Sequence, residues 1–430
     1  MIFLFAIIYI CLAAINHRIL GTRINSFNLI FIPYVFILIF NNLFMHQSFM
    51  PISNEAIFIL IASMFVYEFG IILFHGLSRK RLNNITIEKT KVLGIVDISR
   101  INYRIVSRFI LIVVFVRLAI TVYLFYKGGL GAIAGNDYEG MEIDPITGRL
   151  VMCLFPAGWI IAFKLFADKE LSIKKRVYYV ILCVAVLLVH FLGAVKAHAM
   201  IYAVGVFLIA IYCSRKNAFR GLILLVGIVL LMFFGNYALS WLTIDNSVPT
   251  LRYTLNHFWK YIAGGTINLG GMIADGSTTY GFTDFWIAIV FAIPNEFLSL
   301  VGIKITGDGR IPYISVFPKV SYNMGSYYER SNVVNLFGRM YGNGNILGFL
   351  VNVIVFALVS EWAMKTYRVS TKASTFIVAV VVLSYEFVSF FAFYYSSTHF
   401  WQMIFYSALF TWFVQVRWKL NGYSRIVRIN

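Results

Sequence analysis

The sequence predicts an all-α, polytopic integral membrane protein, and three observations support that prediction. Apolar residues make up 60% of the 430 positions. Only 13% are charged, whereas charged residues are about a quarter of a typical soluble domain. Apolar runs of about 18 residues or more recur along most of the chain, and each can cross a hydrocarbon core of about 30 Å as a helix. We therefore expect a single polytopic membrane domain over residues 1–430 rather than two or three soluble domains.

About eleven transmembrane helices are predicted, one for each apolar run. The first run, MIFLFAIIYICLAAI, has no basic residue before it and no small-residue cleavage site after it, so a transmembrane helix is expected rather than a removable signal peptide. The predicted spans are 1–15, 27–45, 55–77, 109–126, 150–167, 177–195, 197–213, 221–243, 341–364, 373–394 and 399–416. A further run, 284–303, has Pro294, Asn295 and Glu296 at its centre, so we expect two short helices in or on the outer face.

The distribution of charge sets the predicted orientation. With the N-terminus outside, the inward-facing segments carry 24 Lys and Arg residues against four Asp and Glu. The outward-facing segments carry ten of each kind. This asymmetry follows the positive-inside rule. The net charge of +18 therefore reflects membrane topology, and no nucleic-acid partner is expected.

Cofactor motifs are not evident in the sequence. The four cysteines lie in or beside apolar runs, and neither they nor the seven histidines show metal-ligand spacing. No Walker, GxGxxG or GxSxG motif stands in a suitable context. We expect neither a metal nor another cofactor.

Two outside segments are candidates for function, because long loops usually carry it. The larger, 244–340, is predicted as a loop of short helices between the eighth and ninth spans, and the smaller is 128–149. Together with the turn FLGAVKAHAM they contain cations that could bind an anion at the outer face: Arg149, Lys196, Arg252, Lys260, Lys304, Arg310, Lys319, Arg330 and Arg339.

A cation near a helix end most often reaches lipid phosphate, and that interpretation is favoured for Lys304 and Lys319. The outer leaflet lacks a dense anionic surface, however, so arginines concentrated there favour a more specific anion. Arginine suits bidentate recognition of phosphate. Aromatic side chains in the same region offer faces for sugar rings: Tyr253, Trp259, Tyr261, Tyr322, Tyr327 and Tyr328. Phosphate and sugar together indicate a lipid-linked oligosaccharide.

Three charged residues lie well inside predicted spans, away from the ends, namely Glu68, Arg117 and Glu386. Such residues are expensive in a bilayer, so each is expected to be paired or to face a cavity. Arg117 could pair with either glutamate. A structural ion pair and a proton relay fit the sequence equally well.

The segments GAVKAHAM, FAIPNEFL (291–298) and SNVVNLFGRMYGNGNILG resemble segments of the Wzy-type oligosaccharide repeat-unit polymerases, which include the enterobacterial common antigen polymerases. Lys196 stands where that family usually has an arginine. The resemblance extends to the whole chain in its topology, with many spans, one dominant outside loop and basic inside loops.

The resemblance implies a GT-C-like glycosyltransferase of the bacterial inner membrane, with a periplasmic N-terminus and a cytoplasmic C-terminus. Such an enzyme passes a growing glycan from undecaprenyl pyrophosphate to a new lipid-linked repeat unit, without a metal. The implied catalytic residues are Lys196, Arg252, Arg330 and Glu329, with Asp275, Glu296 and His198 as other candidate bases. The implied substrate-binding residues are Arg149, His198, Lys260, Tyr327 and Arg339. A chain-length-regulating copolymerase and a flippase are the implied protein partners.

Two other functions remain open at this stage. An O-antigen ligase-like enzyme would share the donor and the large outside loop. A flippase or transporter for the same lipid would show internal repeats and helices broken at mid-membrane, which the sequence does not make evident.

Overall fold

The computed structural model is helical throughout the residues that it describes. These are 1–22, 24–45, 49–82, 96–97, 100–128, 145–191, 196–213, 250–274, 334–342, 346–391 and 398–415, with isolated positions at Gly227, Val290, Pro294, Leu298 and Ile303. The α-helices within these ranges are α1 Ile2–Leu20, α2 Ser26–Phe44, α3 Asn54–Leu82, α4 Tyr103–Gly128, α5 Pro145–Ala167, α6 Ile173–Phe191, α7 Lys196–Cys213, α8 Thr250–Ala274, α9 Leu336–Tyr341, α10 Ile346–Val369, α11 Ala373–Phe387 and α12 Thr398–Gln415. A short 3₁₀ turn, Val388–Phe390, follows α11.

Seven helices in the described part of the chain are long and apolar enough to cross a membrane. They are Ile2–Leu20, Ser26–Phe44, Asn54–Leu77, Tyr103–Lys127, Thr147–Ala167, Ile346–Val369 and Ala373–Phe390. A shorter apolar helix runs from Ala197 to Cys213. The prediction of an all-helical, multi-pass membrane protein is confirmed to this extent. The predicted span 221–243 lies outside the described residues except for Gly227, so the total of eleven stays a prediction.

The chain divides into two compact units. Unit 1 comprises Met1–Thr90, Leu251–Met364 and Tyr385–Gln402, and unit 2 comprises Lys91–Thr250, Lys365–Ser384 and Met403–Asn430. Each unit is therefore assembled from segments far apart in sequence.

In unit 1, helices α1 and α2 form a hairpin whose turn is specified by local sequence. Gly21 ends α1 in the left-handed conformation, at φ 66°, where a side chain would be strained. Asn25 begins α2 by accepting a hydrogen bond from the Asn28 backbone N–H at 2.8 Å, which satisfies one of the free donors of the first turn. The Tyr9 hydroxyl then donates to the Asn28 side chain across the hairpin at 3.0 Å.

Helices α3 and α10 of unit 1 run in the same direction and approach closely. A methyl group on Gly70 would lie 2.5 Å from the Ala357 methyl, so the glycine permits this approach. The Tyr67 and Phe356 rings are 6.0 Å apart before this point, and His75 meets Glu361 after it. Because contacts advance along both helices together, the two helices are parallel.

Helix α8 is a single helix of 25 residues within the segment 244–340, which the sequence predicts as a loop of short helices. Most of the rest of that segment lies outside the described residues, so the loop as a whole stays a prediction. Residues 263–270, AGGTINLG, are all buried, so this stretch is covered by protein on every side. Gly265 lies against the backbone of Asn335 and of Phe390, and Gly270 lies against Ser53. Small residues allow neighbouring backbones to enclose the helix.

The next helix, α9, is also buried in unit 1. Phe337 stacks on Phe31 at 5.3 Å and lies 5.5 Å from Tyr34, so α9 contacts the middle of α2. The predicted ninth span, 341–364, is thereby divided: residues up to Tyr341 belong to α9, and the long helix begins only at Ile346.

Unit 2 contains a reciprocal contact between α5 and α7. The Trp159 ring on α5 fills the space that a side chain at Gly205 would occupy, and the Tyr202 ring on α7 does the same at Gly158. The two rings are nearly parallel, with centroids 6.4 Å apart. Each helix thus supplies a glycine that receives the aromatic ring of the other.

Candidate functional site

Two of the four predicted catalytic residues, Arg330 and Glu329, lie outside the described part of the chain. The predicted substrate-binding residue Tyr327 and the other candidate bases Asp275 and Glu296 also lie outside it. Arg252 lies on α8 and Lys196 is the first residue of α7, but only their backbone is described. Their catalytic roles stay predictions.

Lys260 lies on α8 beside a buried anchor. Its neighbour Trp259 is 4% exposed and donates its indole N–H to the Asn41 side chain on α2 at 2.9 Å. The Phe40 ring also contacts Trp259, at 4.7 Å. Lys260 itself is partly buried, with its ammonium 5.9 Å from the Tyr261 ring centroid, within the range of a cation–π contact. The anchor fixes the segment of α8 that carries this cation.

Arg339 lies on α9, which is fixed by its first residues. Asn335 caps the helix by accepting a hydrogen bond from the Gly338 N–H at 2.7 Å, and its own side chain donates to Thr266 on α8 at 3.2 Å. The Asn335 N–H donates to the Gly265 carbonyl at 3.3 Å. Arg339 is partly buried, among neighbours that are fully buried. Lys260 and Arg339 therefore lie on two helices in direct contact.

The predicted residues of unit 2 lie near one end of the α5–α6–α7 group. His198, on the first turn of α7, packs edge-on against Phe155 of α5 at 5.9 Å. His190, near the end of α6, lies 3.8 Å from Phe155 and 6.5 Å from His198. Arg149 lies in the second turn of α5, and Lys196 begins α7. These contacts place His198 in an aromatic cluster, with the two cations at the same ends of their helices.

A second polar site lies within the transmembrane helices of unit 1. Glu68, only 5% exposed, accepts a hydrogen bond from the Asn16 side chain of α1 at 2.5 Å. Glu361 of α10 is 2% exposed and meets two partners, the Ser26 hydroxyl at the start of α2 and His75 Nε2 at 2.9 Å. Glu68 and Glu361 are close enough to interact electrostatically. Three side chains therefore contact the two carboxylates, and the five residues of this site come from four helices.

Sequence reasoning identified Glu68 but missed Glu361 and His75. In the predicted span 341–364, Glu361 is three residues from the end, where a charged residue is ordinary. In the structure, α10 runs to Val369, so Glu361 lies eight residues from its end. His75 is similarly internal, because α3 extends to Leu82 rather than ending at residue 77.

Within the described residues, no group of three or more His, Cys, Asp or Glu side chains could hold a metal ion. Comparisons of the chain with protein-family models, with curated protein sequences and with solved structures found no match. A functional conclusion therefore depends on the residues themselves.

Proposed function

We propose that this protein is a membrane glycosyltransferase that polymerises lipid-pyrophosphate-linked oligosaccharide repeat units. The observation that supports the proposal best is the contact between α8 and α9. These two buried helices each carry a partly buried cation, Lys260 or Arg339, and each lies beside aromatic rings. A polyprenyl pyrophosphate joined to a sugar combines the anion and the ring faces that such a surface can bind.

The proposed reaction replaces one bond at the anomeric carbon by another. The acceptor hydroxyl attacks that carbon, its proton passes to a base, and the lipid pyrophosphate leaves with the electron pair of the broken C–O bond. Lys260 and Arg339 would stabilise the charge that develops on the leaving pyrophosphate, together with Arg252 and Arg330. Tyr327 would hold the substrate, and Glu329 is the proposed base. The roles that the resemblance implies for Lys196, Arg149 and His198 stay predictions. The proposal requires the cation-bearing helix ends to face the periplasm, as the positive-inside rule predicts.

The test is the glycan profile of a deletion strain complemented with single-residue variants. Wild-type protein should restore a ladder of long chains, whereas the deletion strain should carry one repeat unit per acceptor. Arg339→Ala should reduce chain extension by roughly 100-fold, the effect typical of losing one charge-stabilising donor. Arg339→Lys should restore only part of it, because lysine cannot form a bidentate contact with phosphate.

Lys127→Ala provides the matched control. Lys127 is an exposed cation at the end of α4, with its ammonium 5.0 Å from the Tyr123 ring centroid. Its removal should leave the ladder unchanged. A normal ladder in Arg339→Ala cells that contain a normal amount of membrane-inserted protein would exclude this residue from the mechanism. Loss of glycan attachment itself in the deletion strain would favour the ligase-like alternative.

A transporter or flippase of lipid-linked oligosaccharides is the second candidate. The observation in its favour is the buried Glu68–Glu361 pair, since carboxylates inside a membrane often serve ion or proton pathways. In that case the deletion strain would accumulate lipid-linked units on the cytoplasmic face, where an added periplasmic glycan-binding probe does not reach them.

A further inference from the structure

We propose that Glu68 and Glu361 form a proton-binding site inside the membrane-spanning helices of unit 1, with His75 as the group that exchanges the proton. This site is distinct from the cations assigned to substrate binding. The proposal does not depend on which lipid-linked substrate the protein uses.

The hydrogen bonds around the pair leave one carboxylate oxygen unoccupied. Ser26 and His75 contact the two oxygens of Glu361, and the Asn16 amide donates to Oε2 of Glu68. Oε1 of Glu68 is buried and has no hydrogen-bond partner among the described residues. A buried, ionised oxygen without a donor is expensive, whereas a proton on that oxygen removes the charge.

A second buried group points into the same place. Asn16 is fully buried, with its amide directed at Glu68. Its Oδ1 atom likewise has no partner in the described part of the chain. A protonated Glu68 supplies a hydrogen-bond donor in a site with two buried acceptor atoms that lack one.

The charges nearby favour one shared proton. Glu68 and Glu361 interact electrostatically, and the Tyr67 hydroxyl is within electrostatic range of both Glu361 and Glu386. Two carboxylates that interact in a medium of low dielectric constant do not both ionise readily. Other ionisable groups on the surrounding helices include Tyr9 on α1, Tyr34 on α2, Glu55 on α3, and Lys365, Tyr367 and Arg368 beyond Glu361 on α10. On α1, His17 and Arg18 are exposed.

The groups that contact Glu68 and Glu361 favour a bound proton over a bound metal cation. A bound cation needs several oxygens turned towards one point, but an N–H group, a hydroxyl and an imidazole face the carboxylates instead. The described residues also offer no set of three metal-ligating side chains.

His75 connects the buried pair with its surroundings. Its side chain is 31% exposed, whereas that of Glu361 is 3% exposed, and the two are in contact. An imidazole can both accept and donate a proton. A proton on the His75 ring can therefore pass to the contacting Glu361 carboxylate, which leaves a neutral imidazole; no electron transfer or co-reactant is involved.

Infrared difference spectroscopy of the full-length protein in lipid nanodiscs tests the proposal, because a protonated carboxyl group has its own C=O stretching band. The wild-type protein should show that band at neutral pH, and it should disappear as the pH rises. Glu68→Gln should abolish it. Glu361→Gln should make the band disappear at a lower pH than in the wild-type protein, since Glu68 then has no like charge near it. His75→Ala should slow the shift of the band on exchange into D₂O.

Glu55→Gln is the matched control, because Glu55 lies at the exposed start of the same helix as Glu68. It should leave the band unchanged. The proposal is overturned if the band persists in Glu68→Gln protein, or if it is lost only in Glu386→Gln protein. A band that responds to Na⁺ at constant pH would instead identify a cation site. Thermal unfolding of each variant in the same nanodiscs shows whether the fold is intact.

Discussion

Substituting Gly205 by alanine should destabilise unit 2, because the added methyl group has no room. The new Cβ atom would lie 2.3 Å from both Cε2 and Nε1 of Trp159, whereas ordinary contacts begin at 3.4 Å. The indole must therefore move by about 1 Å. Its N–H donates to the Tyr202 carbonyl at 3.0 Å, and such a displacement breaks this bond.

The magnitude follows from three contributions. Overpacking of a close-packed interior costs about 2 kcal/mol. Loss of the buried hydrogen bond adds about 1 kcal/mol. Alanine is favoured over glycine in a helix by about 1 kcal/mol, which offsets part of this cost. The net loss in the free energy of unfolding should be about 2 kcal/mol, measurable by reversible denaturation in mixed detergent micelles.

Gly76→Ala is the control for the helix propensity. Gly76 lies inside α3, and a methyl group there would have no heavy atom within 4 Å. That variant should be unchanged or more stable by up to about 1 kcal/mol. The double variant Trp159→Phe with Gly205→Ala should be more stable than the sum of the single effects, because the smaller ring makes room for the methyl group. If Gly205→Ala is as stable as Gly76→Ala, the described contact between α5 and α7 is wrong.

Two further predictions concern polar contacts at helix ends. Asn41→Ala should lower the free energy of unfolding by about 2 kcal/mol, because it leaves the buried Trp259 N–H without its acceptor. In the same denaturation assay, Asn41→Asp should lose less, because a carboxylate oxygen can still accept that hydrogen bond. Burial alone raises the pKa of the Asp168 carboxyl. The Lys164 ammonium at 2.7 Å, the Glu170 backbone N–H and the Lys175 charge together outweigh burial and lower that pKa below its usual value. Ionised Asp168 thus stabilises the fold above a pH of about 4, and this stabilisation is lost as the pH falls through the lowered pKa. Asp168→Asn should therefore lower the free energy of unfolding by about 1 kcal/mol at neutral pH and leave it unchanged in acid.

The membrane helices were predictable because length and apolar composition are local properties. Seven predicted spans correspond to helices of spanning length, within a few residues at most ends. Helix α8 was not predictable in this way. Its buried centre, AGGTINLG, has the composition of a loop, and only the neighbouring backbones of Asn335 and Phe390 explain its burial. Tertiary contacts decide the conformation of such glycine-rich segments.

The candidate sites differ in how much the sequence reveals. Lys260 and Arg339 were identified as outward-facing cations from composition alone, but the contact between their helices depends on Asn335 and Gly265, far apart in sequence. Glu361 was not identified from the sequence, because hydropathy predicts that a span is present more reliably than it predicts where the span ends. A shift of five residues moves this glutamate from the membrane edge to its interior.

The parallel arrangement of α3 and α10 also constrains how many times the chain crosses the membrane between them. Two spans that run in the same direction require an odd number of crossings in between. If α4, α5, α6 and α7 each cross once, residues 214–345 must add an odd number. The predicted span 221–243 supplies one such crossing, so further crossings, for example by α8 and by 284–303, can only be added in pairs. The contacts of Gly70 with Ala357 and of His75 with Glu361 therefore fix the parity of the crossings in this part of the chain.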